Sequence, residues 1–224
     1  MELPFTNEQF LEVFRKYNTT FYPLQVVFIL LAIFTFLLAL KPGKISGTLI
    51  LTIMSALWGW MGFVYHLLFF SQINKAAFLF GILFILEGIL LLNYALKEAV
   101  EFSFRKNPYR ITSILLLSYA LIIYPAIGYF NGHPYPYSPT FGLPCPTTIF
   151  TFGIMLLSKK RLPLYILLIP VIWSVIGFTA AILLNIYEDT ALIISGVLII
   201  VLNFVKPGKL KAVDTKRTFL VTSV

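Results

Sequence analysis

Seven stretches of apolar residues follow one another along this chain and leave room for few folds other than a bundle of membrane helices. Of the 224 residues, 59% are hydrophobic and only 12% are charged, a balance that excludes an ordinary soluble domain. The stretches lie at 22–40, 47–69, 76–96, 111–129, 146–157, 162–184 and 190–205. Because about 20 apolar residues in a helix cross a bilayer, the sequence predicts an all-α integral membrane protein, a seven-transmembrane helix bundle.

The basic residues favour one orientation of this bundle. Fourteen of the 17 Lys and Arg residues lie in alternate connections, at 41–44, 97–110, 159–161 and 206–217. The net charge of +8 is therefore explained by membrane topology, and no nucleic-acid partner is expected. Since basic connections stay on the cytoplasmic side, we expect the N-terminus outside and the C-terminus in the cytoplasm.

Three segments make up the predicted domain organisation. Residues 1–20 form an N-terminal amphipathic segment, 21–206 the seven-span membrane domain, and 207–224 a basic cytoplasmic tail. The first segment is acidic and has no apolar core, unlike a secretory signal. Its apolar residues recur at spacings of three and four, which is typical of a helix lying in the outer interface. A helical lead-in to the first span is an equally good interpretation.

The fifth apolar stretch is too short to cross a bilayer by itself. Residues 146–157 number 12, and a helix of that length covers roughly 18 Å of a hydrocarbon layer roughly 30 Å thick. The proline-rich segment before it, 131–145, must therefore descend part of the way. Irregular backbone at that depth is tolerated only where protein or trapped water satisfies its polar groups. We therefore expect the working site in this region.

Six side chains are candidate ligand-binding residues around that segment. With the predicted orientation, His66, His133 and Cys145 share the outer leaflet, and Glu87 lies near the middle of its span. Thr147 and Thr148 follow Pro146 at the start of a helix, where free amide groups attract anions or a thiolate. The alternatives without a binding role are a structural turn for the threonines, an interfacial hydrogen-bonding group for His66 and a solvated loop residue for His133. The candidates are His66, Glu87, His133, Cys145, Thr147 and Thr148.

A metal or cofactor has little support in the sequence. His66, His133 and Cys145 suit copper or zinc if folding brings them together, but their spacing forms no metal motif. HExxH, GxSxG, P-loop and paired CxxC patterns are absent from the sequence, so hydrolytic and nucleotide-driven activities lack their motifs. The last apolar stretch has no lysine for a retinal Schiff base. The cofactor therefore stays unknown.

Three segments of the chain carry a family resemblance. The run GHPYPYSPTFGLPCPTTIFTFG at 132–153 resembles a signature of a bacterial multi-pass inner-membrane protein family of unknown function. The opening LPFTNEQFLEVFRKYN at 3–18 and WGWMGFVYHLLFFSQINKAAFLFG at 58–81 are similar to the same family. The resemblance implies a location in the bacterial inner (plasma) membrane. It also implies that His66, Asn74, Cys145 and Thr147 belong to the signature segments, and it brings no reaction or substrate with it.

Three functions remain open on the sequence. The leading hypothesis is a membrane protein that binds or translocates a small solute or ion through an outward-facing pocket built around PTFGLPCPTT, 139–148. The second is a membrane-embedded redox or metal-dependent enzyme that uses Cys145 with His66 or His133. The third is a sensory or assembly subunit of a membrane complex. The expected partners are the lipid bilayer and the small solute or ion, and an oligomer or protein partner is left open.

Overall fold

The structure is a computed structural model that describes residues 4–206, and the predicted tail at 207–224 lies outside the described residues. The described part of the chain is all-helical, as the sequence predicts. Two helices contain π-helical turns, at Met61–Phe69 and Tyr119–Ile123. In chain order the helices are α1 (Asn7–Thr20), α2 (Leu24–Leu40), α3 (Lys44–Trp60), α4 (Ala77–Lys97), α5 (Arg110–Ser118), α6 (Tyr124–Phe130), α7 (Pro144–Leu156), α8 (Leu164–Leu184) and α9 (Thr190–Val205).

Five helical segments are long and apolar enough to cross a membrane. They are Lys44–Gln72, Ala77–Lys97, Arg110–Phe130, Leu164–Leu184 and Tyr187–Val205. A sixth is possible if α1 and α2, which meet at an angle of 86°, are counted as one broken span. Each of the seven predicted apolar stretches contains a helix, and the fifth of them, α7, has only 13 residues.

Helix α1 turns its apolar face toward the protein. Thr6 and Gln9 form a capping box that satisfies free amide groups at its N-terminus. The predicted periodic residues Phe10, Val13, Phe14 and Tyr17 are all buried. The aromatic rings among them meet the π-helical segment and the turn after it, with Tyr17 and Tyr65 centroids 6.0 Å apart and Phe10 and Phe70 centroids 5.6 Å apart. The amphipathic pattern therefore corresponds to a packing face, and the sharp bend before α2 makes α1 a separate element rather than a straight lead-in.

Helices α3 and α4 approach closely through small residues. The Ser55 hydroxyl donates a 2.7 Å hydrogen bond to the Gly88 carbonyl. A Cβ placed on Gly62 would lie 2.7 Å from the Gly81 carbonyl oxygen and 2.8 Å from the Ile85 amide nitrogen. Small residues on both sides of this contact therefore let the two backbones approach closely.

Helix α7 is surrounded by protein. Every residue from Pro146 to Leu156 is buried, and the helix contacts α3, α5, α8 and α9. It begins at Pro144, two residues before the predicted start, because proline suits the first turn, where its missing N–H costs no hydrogen bond. At its other end, the Lys206 ammonium donates to the Leu156 carbonyl at 2.8 Å and the Asn107 amide donates to it at 3.1 Å. Both ends of α7 are thus anchored to the protein.

The connections gather at two ends of the bundle, in the grouping that the basic residues predict. At one end, the Ser103 amide donates to the Leu157 carbonyl, and the Phe104 amide donates to the Ala39 carbonyl. At the other end, the Asn18 side chain of α1 donates to the carbonyls of Pro136 and Ser138, at 2.7 and 2.9 Å. The loop at 131–143 is therefore tied to α1, and the basic connections lie together at the opposite end.

The close contact at Gly62 can be tested by comparing alanine substitutions at Gly62 and Gly59. Gly62→Ala should lower the free energy of unfolding by about 1–3 kcal/mol, because the new methyl group meets backbone atoms of α4 that cannot move aside. Gly59→Ala is the matched control, since a Cβ there has nothing within 4 Å, and it should be neutral or stabilising. Thermal unfolding in detergent, followed by circular dichroism, measures both. Equal melting temperatures for the two variants would contradict the close contact.

Lys206 gives a pH dependence of stability. Burial lowers the pKa of its ammonium from 10.5 to about 8. Above pH 8 the folded protein has released this proton while the unfolded chain keeps it, so the Lys206 contribution to stability rises with pH up to about 10.5. We expect wild type to gain about 1–2 kcal/mol between pH 8 and pH 10 relative to Lys206→Met. Thermal melts across this range check the difference, and parallel pH profiles would refute it.

Candidate functional site

A cavity of about 430 Å³ lies between α1, the π-helical segment, the start of α7 and the end of α8. A volume of this size is typical of small-molecule sites. Seven of its lining residues are aromatic: Phe5, Phe10, Phe14, Tyr65, Phe70, Phe80 and Trp173. Its polar side chains are Asn74, Cys145, Thr179 and Asp189. The cavity thus has a few polar groups set in an apolar wall.

Cys145 and Asp189 form the polar part of the inner wall. Cys145 is the second residue of α7, and Asp189 directly precedes α9, so the contact between α7 and α9 brings them together. The Asp189 carboxylate accepts a hydrogen bond from the Tyr124 hydroxyl and lies beside the Cys145 thiol. Asp189 is 4% exposed. A carboxylate and a thiol therefore meet at the same buried wall.

Gly177 makes room for this arrangement. A Cβ on Gly177 would lie 3.7 Å from the Cys145 sulfur, 3.8 Å from the Trp173 ring nitrogen and 2.6 Å from Leu192. The absent side chain lets α8 approach α7 and α9 closely. The Trp173 ring N–H, which has no hydrogen-bond acceptor among the described residues, therefore lies close to the cysteine.

Glu188 and His133 form a second polar pair behind the cavity wall. The His133 Nδ1 and Glu188 Oε1 atoms are 4.0 Å apart, and the Glu188 side chain is fully buried. Neither Glu188 carboxylate oxygen has a hydrogen-bond donor within residues 4–206. Its backbone carbonyl accepts from the Tyr119 hydroxyl at 2.8 Å. Two consecutive buried carboxylates thus lie at the loop before α9.

His66 lies in an aromatic box next to the cavity. Its ring centroid is 4.6 Å from that of Phe84 and 5.1 Å from that of Trp173. Neither ring nitrogen has a hydrogen-bond partner among the described residues. His66 is not among the residues that line the cavity, although its chain neighbour Tyr65 is. The His66 ring therefore contacts the cavity wall through Trp173, which is part of the lining.

Glu87 is buried in the middle of α4. Its side chain is 0% exposed, and both carboxylate oxygens lack a hydrogen-bond partner in the described structure. It follows Phe84, which contacts the His66 ring, by one helical turn. Glu87 does not line the cavity, so the structure gives it no contact with Cys145 or Asp189 through that space.

Thr147 and Thr148 support the loop that leads into α7. The Thr147 hydroxyl accepts a 3.0 Å hydrogen bond from the Gly142 amide. Gly142 has φ +99, and a Cβ there would lie 2.2 Å from the Phe28 ring, so this turn requires glycine. The Thr148 hydroxyl is buried without a partner among the described residues. Both threonines lie outside the cavity lining, and the Thr147 contact matches the structural alternative.

Of the six predicted residues, Cys145 alone is among those that line the cavity. The structure does not assemble the three metal candidates: His66 faces aromatic rings, His133 faces Glu188, and Cys145 faces Asp189. Within residues 4–206, no group of three or more His, Cys, Asp or Glu side chains is arranged to hold a metal ion. The predicted pairing of Cys145 with a histidine therefore has no support from the geometry.

Sequence reasoning missed Asp189, Tyr124 and Trp173 as parts of the site. One signal was present, because Glu188 and Asp189 are consecutive acids between two apolar stretches in a connection without Lys or Arg. Tyr124 and Trp173 gave no signal, since aromatic residues are common in every stretch.

The described chain defines a class of protein: all-helical, with five or six helices that are apolar enough to cross a membrane. It belongs to a family of unknown function, DUF6064, whose model matches residues 7–212. Comparison with curated proteins found no match, and comparison with solved structures found none either.

A pair of variants compares the hydrogen bond from Tyr124 to Asp189 with the nearby hydrogen bond from Tyr119 to the Glu188 carbonyl. Tyr124→Phe should lower the free energy of unfolding by about 1–3 kcal/mol, because it removes a buried donor from a carboxylate. Tyr119→Phe, whose partner is a backbone carbonyl, should cost about 0.5–1.5 kcal/mol. Thermal unfolding of both variants in one detergent makes the comparison. A larger loss for Tyr119→Phe would contradict a structural role for the Tyr124–Asp189 contact.

Proposed function

We propose that this protein is a multi-pass protein of the bacterial inner membrane with seven spans, its N-terminus outside and its C-terminus in the cytoplasm. The number and apolarity of the helices support a membrane location. The grouping of basic connections at one end of the bundle supports the orientation, because such connections stay in the cytoplasm.

In this arrangement α7 is the interior span. Its 13 residues cover about 20 Å, and the ordered loop at 131–143 covers the rest of the depth from the outer side. The part of this loop next to α7 is buried at 138, 139 and 141–143, which agrees with the requirement that non-helical backbone inside a membrane be enclosed by protein. The cavity then opens toward the outer half of the membrane, at the end where α1 lies.

The function that the geometry supports best is binding of a small molecule in this outward-facing cavity. The observation that carries the proposal is the cavity itself, in which a thiol and a carboxylate share a wall with aromatic rings. An apolar wall with a few placed polar groups is the usual form of a small-molecule site. Cys145 would contact the ligand, and the loop before α7 would hold the thiol in place.

The single cysteine of the chain provides the test. A membrane-impermeant maleimide should label Cys145 in spheroplasts and leave it unlabelled in inverted vesicles. Ala180→Leu, which adds volume to the cavity lining, should slow labelling about tenfold. Val175→Leu is the matched control, since Val175 is on the same helix, 48% exposed and outside the lining, and it should label like wild type.

A second labelling site serves as a control for the proposed membrane orientation. In a Cys145→Ala background, Lys159→Cys should react only in inverted vesicles, because this residue lies at the opposite end of the bundle and is exposed. Labelling of Cys145 from the inner face would overturn the proposed orientation. An unchanged labelling rate in Ala180→Leu would show that the thiol is reached by another route and would remove the cavity as the binding site.

A further inference from the structure

Among the described residues that line the cavity, the charged side chain is negative. Among residues 4–206, none of those that line it is Lys or Arg, whereas Asp189 is part of the wall. The adjacent Glu188 is fully buried, and its only ion-pair partner in the described structure is His133, at 4.0 Å. A buried carboxylate is stable only when a hydrogen-bond donor or a cation balances it. Asp189 has a donor in the Tyr124 hydroxyl, but the described lining gives its carboxylate no cationic partner, and a bound ligand is able to supply that charge.

The aromatic side chains of the cavity wall also favour a positively charged ligand. Tyr65, Phe80 and Trp173 line the same cavity as Asp189, and the ring centroids of Phe80 and Trp173 are 5.5 Å apart. Aromatic faces attract cations, most strongly where water is excluded, and rings around a carboxylate form a common site for substituted ammonium groups. An anion would meet no Lys or Arg side chain in the lining. Both the carboxylate and the rings thus favour an organic cation over an anionic ligand.

The mouth of the cavity indicates what the rest of the ligand is like. Ile182 and Leu183 of α8 belong to the lining and are 59% and 48% exposed, so they stand where the cavity reaches the surface. Both residues lie in the last turn of α8, so in the proposed membrane orientation the mouth is at the outer boundary of the hydrocarbon layer, where a water-soluble maleimide also reaches Cys145. The part of the ligand that lies there contacts apolar side chains and neighbouring acyl chains. An alkyl chain in contact with Ile182 and Leu183 satisfies this condition.

We propose that the cavity binds an amphipathic ammonium cation, with the ammonium group near Asp189 and the alkyl chain directed toward Ile182 and Leu183. This inference rests on the proposed binding function and specifies its ligand. A zwitterionic phospholipid is a poorer occupant, because the lining offers no Lys or Arg for its phosphate. The ligand class is therefore a single-chain amine rather than a lipid headgroup.

Three probes with one carbon skeleton test this ligand class: decylamine, which is a cation at pH 7.5, 1-decanol and decanoate. The readout is protection of Cys145 from maleimide in dodecyl maltoside, with each variant normalised to its own rate without probe. In wild type we expect decylamine to protect at a concentration at least tenfold lower than decanol, and decanoate to give the weakest protection. Equal protection by decylamine and decanol would overturn the proposal, and this comparison needs no variant.

Asp189→Asn keeps the shape of the side chain and removes its charge. It should weaken protection by decylamine at least tenfold and change protection by decanol less than threefold. Glu101→Gln is the control, because Glu101 is an exposed carboxylate at the opposite end of the bundle, and it should behave like wild type with all three probes. Retention of the decylamine preference in folded Asp189→Asn would contradict the role of this carboxylate.

The two proposals fail in different ways. If all three probes protect Cys145 equally and Ala180→Leu abolishes the protection, the cavity is a binding site without preference for a cation. If no probe protects and Ala180→Leu leaves the labelling rate unchanged, the binding function itself is wrong. Size-exclusion chromatography and circular dichroism establish that each variant is folded before it is compared.

Discussion

The enclosure of α7 is the constraint on which the rest of this structure depends. A helix of 13 residues and the irregular loop before it leave backbone groups at both ends that need partners. The chain supplies them from Thr147 at the loop and from Asn107 and Lys206 at the helix C-terminus. Because α7 must be covered on all sides, the longer helices surround it. The cavity forms where its N-terminus meets α1 and α8.

The sequence predicts the architecture well because apolar length and basic connections report directly on helices and on the ends of the bundle. It also identifies the 131–148 region, since proline runs followed by a short apolar stretch are unusual. The predicted start of α7 at Pro146 differs from Pro144 because two prolines two residues apart are both compatible with a first turn. The sequence cannot distinguish α1 packed on protein from α1 lying on lipid, since the same apolar face serves both.

The candidate site is predicted less completely. Cys145 is found because it is unique and adjacent to the short helix. Asp189 lies 44 positions further along and joins it only through the contact between α7 and α9, which no local pattern encodes. His66 is buried but lies outside the cavity lining, with its ring packed against aromatic side chains, while Tyr65 beside it lines the cavity. Spacing identifies the buried face of the helix but does not show which of two neighbouring buried residues borders a cavity.

Contact between α7 and α9 also sets the order in which the site can be assembled. Helix α9 is the last described helix to be synthesised, and Asp189 directly precedes it. Helix α7 is synthesised earlier, but it is not fully buried until α9 packs against it. Burial of its threonines and of the loop carbonyls therefore depends on a later part of the chain. The carboxylate and the thiol therefore cannot meet before Asp189 has been synthesised, and a chain that stops before it has no cavity wall of this composition.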